Sequence, residues 1–201
     1  MTHRPFRLGL TGSIGMGKST VARLAQRKGI PVFDADAEVH RLQGPGGALV
    51  AAIESRFPGT TGPQGVDRKR LGPVVLGHPA ELAALEAIVH PAVAAARKQF
   101  LRRQAGHRLV ILDIPLLYET GLDAQMDAVM VVSAPAFLQR RRVLRRPGMT
   151  DGKLRAILAS QRPDALKRAA ADILIDTSRP KWRTYAQVSR LLACLRAGQV
   201  R

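Results

Sequence analysis

Apolar and polar positions along the chain fall into two alternating kinds of run. Phe6-Arg7-Leu8-Gly9-Leu10-Thr11 is short and mostly apolar and stops at glycines. Residues 18–28 then carry Val21, Leu24 and Ala25 on one helical face, so the spacing predicts strand, loop, helix. Gly29 ends that helix, and Ile30-Pro31-Val32-Phe33 reads as a second short strand finishing at Asp34-Ala35-Asp36. Three further apolar runs, residues 109–114, 128–132 and 173–175, supply three more strands. Parallel strands joined by helices need a sheet covered on both faces, so the pattern predicts an α/β fold with a five-stranded parallel sheet.

The connections are unequal. About seventy residues separate the second strand from the third, too many for one crossover. They are punctuated by Gly44-Pro45-Gly46-Gly47 and by the stretch from Gly59 to Gly65. Leu82, Leu85, Val89, Val93 and Phe100 keep helical spacing, which predicts a small helical insert over residues 44–105. A second excursion, residues 135–170, is dense in arginine and joins the fourth strand to the fifth. Residues 181–195 place Val188, Leu191, Leu192 and Leu195 on one face and close the chain as an amphipathic helix.

Length and composition narrow the class. The 201 residues fit one domain with insertions, and 46% apolar with 23% charged residues is the balance of a folded globular chain. No apolar run reaches the ~18 residues a membrane helix needs. Cys194 is alone, so no intrachain disulfide can form, and no secretory h-region is visible near the N-terminus. A cytoplasmic protein is expected. The net charge of +17 comes from 32 Lys and Arg against 15 Asp and Glu, and 25 of the cations are Arg. Arginine's planar fork suits phosphate, which points to anionic partners. Only 4% of residues are aromatic, which weakens a single-strand nucleic-acid reading, because such sites usually stack bases on rings.

One segment fixes the chemistry. Gly12-Ser13-Ile14-Gly15-Met16-Gly17-Lys18-Ser19 fits G-x-x-x-x-G-K-[ST], after a predicted strand and opening a helix, and Thr20 continues that helix. The glycines let backbone N–H groups converge on phosphate oxygens at a helix N-terminus. Lys18 then reaches the β and γ phosphates and Ser19 ligates Mg²⁺. ATP or GTP is the expected nucleotide. Asp34 and Asp36 follow the second strand, at the strand ends that line a ligand crevice, where an Asp can take a hydroxyl proton or hold Mg²⁺ through water. Asp36 as the N-cap of a helix over residues 37–42 is the structural alternative. Asp113 closes the third strand as a Walker B carboxylate does. In Gln139-Arg140-Arg141-Arg142-Val143-Leu144-Arg145-Arg146, the spacing puts Arg142 and Arg146 on one helical face, suited to an arginine-bearing lid over a phosphate. His90 precedes Pro91 at an expected helix start, where a cap is the simplest role.

Taken together, these segments resemble the dephospho-CoA kinase family of P-loop kinases over nearly the whole chain. Leu10 to Thr20 and Asp34-Ala35-Asp36 are similar to its opening blocks. Asp67-Arg68 with Leu71, and Leu85-Glu86-Ala87-Ile88-Val89-His90-Pro91, are similar to segments of its acceptor-binding insert. Asp113-Ile114-Pro115-Leu116-Leu117-Tyr118-Glu119 matches D-x-P-L-L-[FY]-E, and Gln139, Arg142 and Arg146 match Q-x-x-R-x-x-x-R; Gln161, Lys167 and Ala171-Asp172 follow in order. Pro147 and Leu76 depart from the pattern, which usually has an acidic or amide residue and Phe at these positions. The resemblance implies one P-loop kinase domain over 1–201, an acceptor-binding insert at 44–105 and a lid at 137–163. It implies that ATP, with Mg²⁺ on Ser19, phosphorylates the ribose 3′-hydroxyl of dephospho-CoA. Lys18, Asp36, Arg142 and Arg146 would be catalytic, and Arg68, His90 and Asp113 would join Asp36 in holding the acceptor. Neither nucleic acid nor membrane is an expected partner. Another P-loop kinase, or an NTPase binding nucleic acid through the arginine run, is the alternative.

Overall fold

The computed structural model describes residues 4–197. The apolar runs form strands β1 (Phe6–Thr11), β2 (Val32–Asp34), β5 (Leu109–Asp113), β6 (Ala128–Ser133) and β7 (Ile173–Asp176), with the hairpin strands β3 (Thr61–Gly62) and β4 (Gly65–Val66) between β2 and β5. The five long-range strands make one sheet in the order β2-β5-β1-β6-β7. β1 runs parallel to β5 from Phe6↔Leu109 to Leu10↔Asp113 and parallel to β6 from Leu8↔Ala128 to Thr11↔Val131, while β6 and β7 are also parallel. Every residue of β5 is buried, which is why it reads in sequence as an unbroken apolar run.

The order places β1 at the centre and sends the chain to opposite sides of it. Its C-terminal end is therefore the switch point at which such sheets open a ligand crevice. Helices α1 (Lys18–Arg27) and α9 (Lys181–Arg196) pack together, and Val21, Ala25, Val188 and Leu192 meet Leu8, Leu10, Ile111 and Met130 in one buried cluster. The arginine-rich excursion forms α6 (Ala136–Leu144), α7 (Asp151–Ala159) and α8 (Asp164–Ala169). No helix among the described residues is long and apolar enough to cross a membrane.

Contacts divide the chain into two units, residues 34–103 and the rest. The first contains α2 (Ala35–Gln43), α3 (Val50–Arg56), the β3–β4 hairpin, α4 (Arg68–Val75) and α5 (Pro79–Arg103). Its own core is Leu42, Leu49, Ile53, Phe57, Leu71 and Val75, closed by the Leu85, Ile88, Val89 and Val93 face of α5. The helix start expected at His90-Pro91 is corrected here, because both residues lie inside the single 25-residue helix α5. Proline inside a helix costs roughly 3 kcal/mol. The helix runs on because Leu85, Ile88 and Val89 before Pro91, and Ala92 and Val93 after it, pack on the same cluster.

Candidate active site

The loop between β1 and α1 has the shape its glycines predict. Gly15 sits at φ 78° and Gly17, which N-caps α1, at φ 95°, conformations that side chains rarely adopt. A Cβ on Gly15 would also stand 2.5 Å from Val143 Cγ2 and 3.1 Å from the Gln139 carbonyl. No side chain caps α1 and no acidic residue lies in its first turn, so that end keeps its N–H groups and partial positive charge for an anion.

The loop is gripped from outside at Ile14, through both its carbonyl and its N–H, and at the Met16 carbonyl. Gln139 Nε2 donates to the Ile14 carbonyl (2.8 Å), Gln161 Oε1 accepts from Ile14 N–H (3.1 Å), and the Thr177 hydroxyl donates to the Met16 carbonyl (2.6 Å). All peptides are trans among the described residues, so in each plane the N–H points opposite to the C=O. Holding the Ile14 and Met16 carbonyls outward therefore aims the Gly15 and Gly17 N–H groups toward the other side of the loop. Met16 itself is an anchor. Its side chain is buried in the core and its sulfur accepts from Ala134 N–H (3.2 Å).

Lys18, the first residue of α1, forms an ion pair with Asp113 at the end of β5. The register Leu10↔Asp113 brings this nearly fully buried carboxylate beside the start of the loop. A buried carboxylate needs a cation, and the same ammonium stands where the loop's N–H groups would gather phosphate. Ser19 follows in the first turn and is itself exposed.

Arg142 is more firmly held than its lid assignment implies. Its guanidinium donates to the Thr177 carbonyl (2.6 Å), the Thr177 hydroxyl (3.1 Å) and, at the long limit of 3.5 Å, the Gly15 carbonyl. Arg146 does not share its helical face, a correction, because α6 stops at Leu144 and Arg146 lies in the turn closed by its N–H to the Val143 carbonyl (2.9 Å). Arg140 is committed to a bidentate pair with Asp151 across α6 and α7 (2.9 and 2.8 Å). An open cleft of about 540 Å³ lies at the ends of β6 and β7, lined by Ser133, Pro135, Asp164, Arg168, Asp176 and Ser178 among others.

The remaining candidates belong to the helical unit. Asp34, not Asp36, caps α2, by accepting from Ala37 N–H (2.9 Å); Asp36 sits exposed in the first helical turn and takes no part in the cap. Arg68 opens α4, with its guanidinium 3.0 Å from His40 Nε2 and donating to Gln43 Oε1 (3.1 Å) on α2. His90 is exposed midway along α5. Sequence reasoning missed Thr177, whose importance is visible only once β7, α6 and the glycine loop are brought together. Gln139 and Gln161 were visible as matching positions without a task.

The family described as Dephospho-CoA kinase matches residues 6–180 of this chain. A dephospho-CoA kinase of Novosphingobium aromaticivorans is 58% identical over 193 residues, 96% of each chain. One from Zymomonas mobilis is 49% identical over 188 residues, 94% of this chain and 95% of that one. Among solved structures, TT1252 from Thermus thermophilus superposes with a TM-score of 0.85 at 32% identity, covering 95% of this chain and 97% of that one. The dephospho-CoA kinase from Campylobacter jejuni shares the fold, with a TM-score of 0.71 at 23% identity and 96% and 98% coverage.

Proposed function

The chain belongs to the dephospho-CoA kinase family, and from that premise we propose how its residues divide the transfer of a phosphoryl group from ATP to dephospho-CoA. The activity is that of a kinase acting on dephospho-CoA, with CoA and ADP as products. The acceptor atom is the ribose 3′-oxygen. Its bond to the γ-phosphorus forms as the bond to the β,γ-bridging oxygen breaks, and ADP leaves with that electron pair. The observation that carries this assignment of work is the glycine loop itself, with the Ile14 and Met16 carbonyls tied outward, the Gly15 and Gly17 N–H groups turned to the other side and the Lys18 ammonium beside it.

Residues 12–20 hold the nucleotide through backbone N–H groups, and Lys18 neutralises charge on the β and γ phosphates. Arg142, already beside the loop, and Arg146 stabilise the transferring group. Asp36 takes the 3′-hydroxyl proton. Its exposure and its freedom from capping support that role. Arg68, His90 and Asp113 hold the acceptor together with Asp36.

The donors at hand suit Mg²⁺, a hard cation that prefers oxygen and usually keeps only one or two protein ligands beside phosphates and water. The Ser19 hydroxyl would hold it. No cluster of three or more His, Cys, Asp or Glu exists among the described residues. When bound, the ion would supply neutralisation of the phosphate charge that develops during transfer. Both substrates are anionic, so the excess of arginine serves their capture without nucleic acid, and the setting is the cytoplasm.

A coupled ADP-release assay with dephospho-CoA as acceptor tests the assignment. Turnover should require both substrates. Lys18→Ala should still fold, at lower stability because the buried Asp113 loses its ion pair, and should lower turnover at least ~10²-fold, because a cation on the transferring phosphates contributes several kcal/mol in the transition state. A folded Lys18→Ala protein with parental turnover would contradict the site.

A further inference from the structure

Thr177 follows β7 and is buried, and five polar contacts converge on it. Its N–H donates to the Ser133 carbonyl at the end of β6 (3.0 Å), which fixes its backbone to the sheet. Its hydroxyl carries one proton, and that proton goes to the Met16 carbonyl at 2.6 Å, the nearer of two acceptors, since the Ser133 carbonyl lies at 3.3 Å. The hydroxyl's lone pairs and the Thr177 carbonyl both accept from Arg142, at 3.1 and 2.6 Å. A Cβ added to Gly17 would stand 3.3 Å from the Thr177 oxygen, so the side chain also backs the cap of α1.

We propose that Thr177 is a positioning residue for phosphoryl transfer, its single hydroxyl setting the glycine loop and the Arg142 guanidinium in one arrangement. The inference rests on the kinase reading and adds a residue to it. The mechanism follows from the peptide plane. The hydroxyl holds the Met16 carbonyl, and this turns the Gly17 N–H toward the phosphate side. The same oxygen accepts from Arg142, so loop and guanidinium share one reference point that is itself pinned to β6. A chain without the hydroxyl leaves the Met16–Gly17 peptide free to rotate and deprives Arg142 of one of its acceptors. Neither loss touches the acceptor-holding residues assigned to the helical unit.

The test compares Thr177→Val, which keeps the branched shape and deletes the hydroxyl, with Thr177→Ser, which keeps the hydroxyl, both in the full chain. Calorimetry should show ATP bound about tenfold more weakly by the Val variant, and kcat should fall about tenfold or more, the loss expected when a buried charged donor and a carbonyl lose a shared partner. The KM for dephospho-CoA should stay within about twofold, and the Ser variant should match the parent within about twofold in both readings. In an Arg142→Ala background, Thr177→Val should cost clearly less kcat than it does alone, because part of its work passes through that arginine. A Val variant with parental ATP affinity and kcat overturns the proposal, as does a Ser variant no better than Val. If Val does not fold, Thr177→Ala gives the second reading of the same hydroxyl; if neither folds while Ser does, the hydroxyl serves the fold and the proposal falls. Should the parent fail to phosphorylate dephospho-CoA, the functional assignment fails, and ATP calorimetry still decides the role of Thr177.

Discussion

Two aspartates with a single alanine between them show how little a sequence position says about a carboxylate's task. Asp34 is bound to the Ala37 N–H and stabilises the start of α2, a contribution of ~1 kcal/mol for such a cap. Asp36 is exposed in the first turn itself and takes no part in that cap. Asp36→Asn should therefore leave the melting temperature unchanged while lowering kcat ~10²-fold or more, with the KM for ATP within about twofold, because the amide cannot accept the hydroxyl proton. Steady-state kinetics beside a thermal melt checks this, and a lost melting temperature with parental kcat would reassign Asp36 to structure. The distinction was not legible in Asp34-Ala35-Asp36. Either residue could have capped, and the boundary between strand and helix, which decided it, lies within the uncertainty of local pattern. Lys18 was legible because the glycines, the lysine and the β-α junction constrain one another. Thr177 was not, because no local signal distinguishes it from any threonine after a strand.

At the scale of elements, the segment that follows Asp113 does more than leave the end of β5. Glu119 lies 2.8 Å from the fully buried Lys167 on α8 and accepts from the Arg162 N–H (2.7 Å), while the Tyr118 hydroxyl donates to the Ala170 carbonyl (2.9 Å). Gln161, which holds Ile14, is the residue before Arg162, so this junction braces the glycine loop from a distance. Burial alone would raise the Glu119 pKa, but the hydrogen bonds from Lys167 and the Arg162 N–H outweigh it and hold the carboxyl below its ordinary value. A carboxyl depressed in the fold stabilises fully above its unfolded pKa, ~4.3, and loses that contribution as pH falls through the lower folded value. Glu119→Gln should thus melt below the parent at pH 7, because the buried Lys167 ammonium loses its counter-charge, and the gap should narrow below about pH 4. Thermal melts of both proteins from pH 7 to 3 measure it; a gap constant with pH would mean that the carboxylate charge is immaterial. Strand positions were legible for the reason that sheets buried on both faces are written as apolar runs. Helix limits followed less well. Pro91 carries a strong local stop signal that tertiary packing along α5 overrides, and α6 ends before its arginine pattern does.

For the whole molecule, the division into two units separates the residues assigned to ATP from most of those assigned to the acceptor. Arg68→Ala and His90→Ala should each lower kcat/KM for dephospho-CoA roughly ten- to hundredfold, the ~1.5 to 3 kcal/mol of a hydrogen bond to a charged group, with ATP affinity by calorimetry nearly unchanged. Lost ATP affinity in both would show that the helical unit has been given the wrong substrate. The glycine-rich punctuation announced that unit in the sequence, but not the small β3–β4 hairpin inside it, whose two-residue strands are too short to leave an alternating pattern. Its contiguity bears on how the chain folds. Phe6 pairs with Leu109, so the central ladder must close a loop of about a hundred residues before it gains a single contact. Residues 34–103 own a core of local helices and can condense early, and each threefold shortening of the effective tether lowers the closure cost by about 1 kcal/mol. The unit assigned to the acceptor is thus also a kinetic aid, and packing defects at Ile53 or Phe57 would be felt first as slow assembly of a sheet that neither residue belongs to.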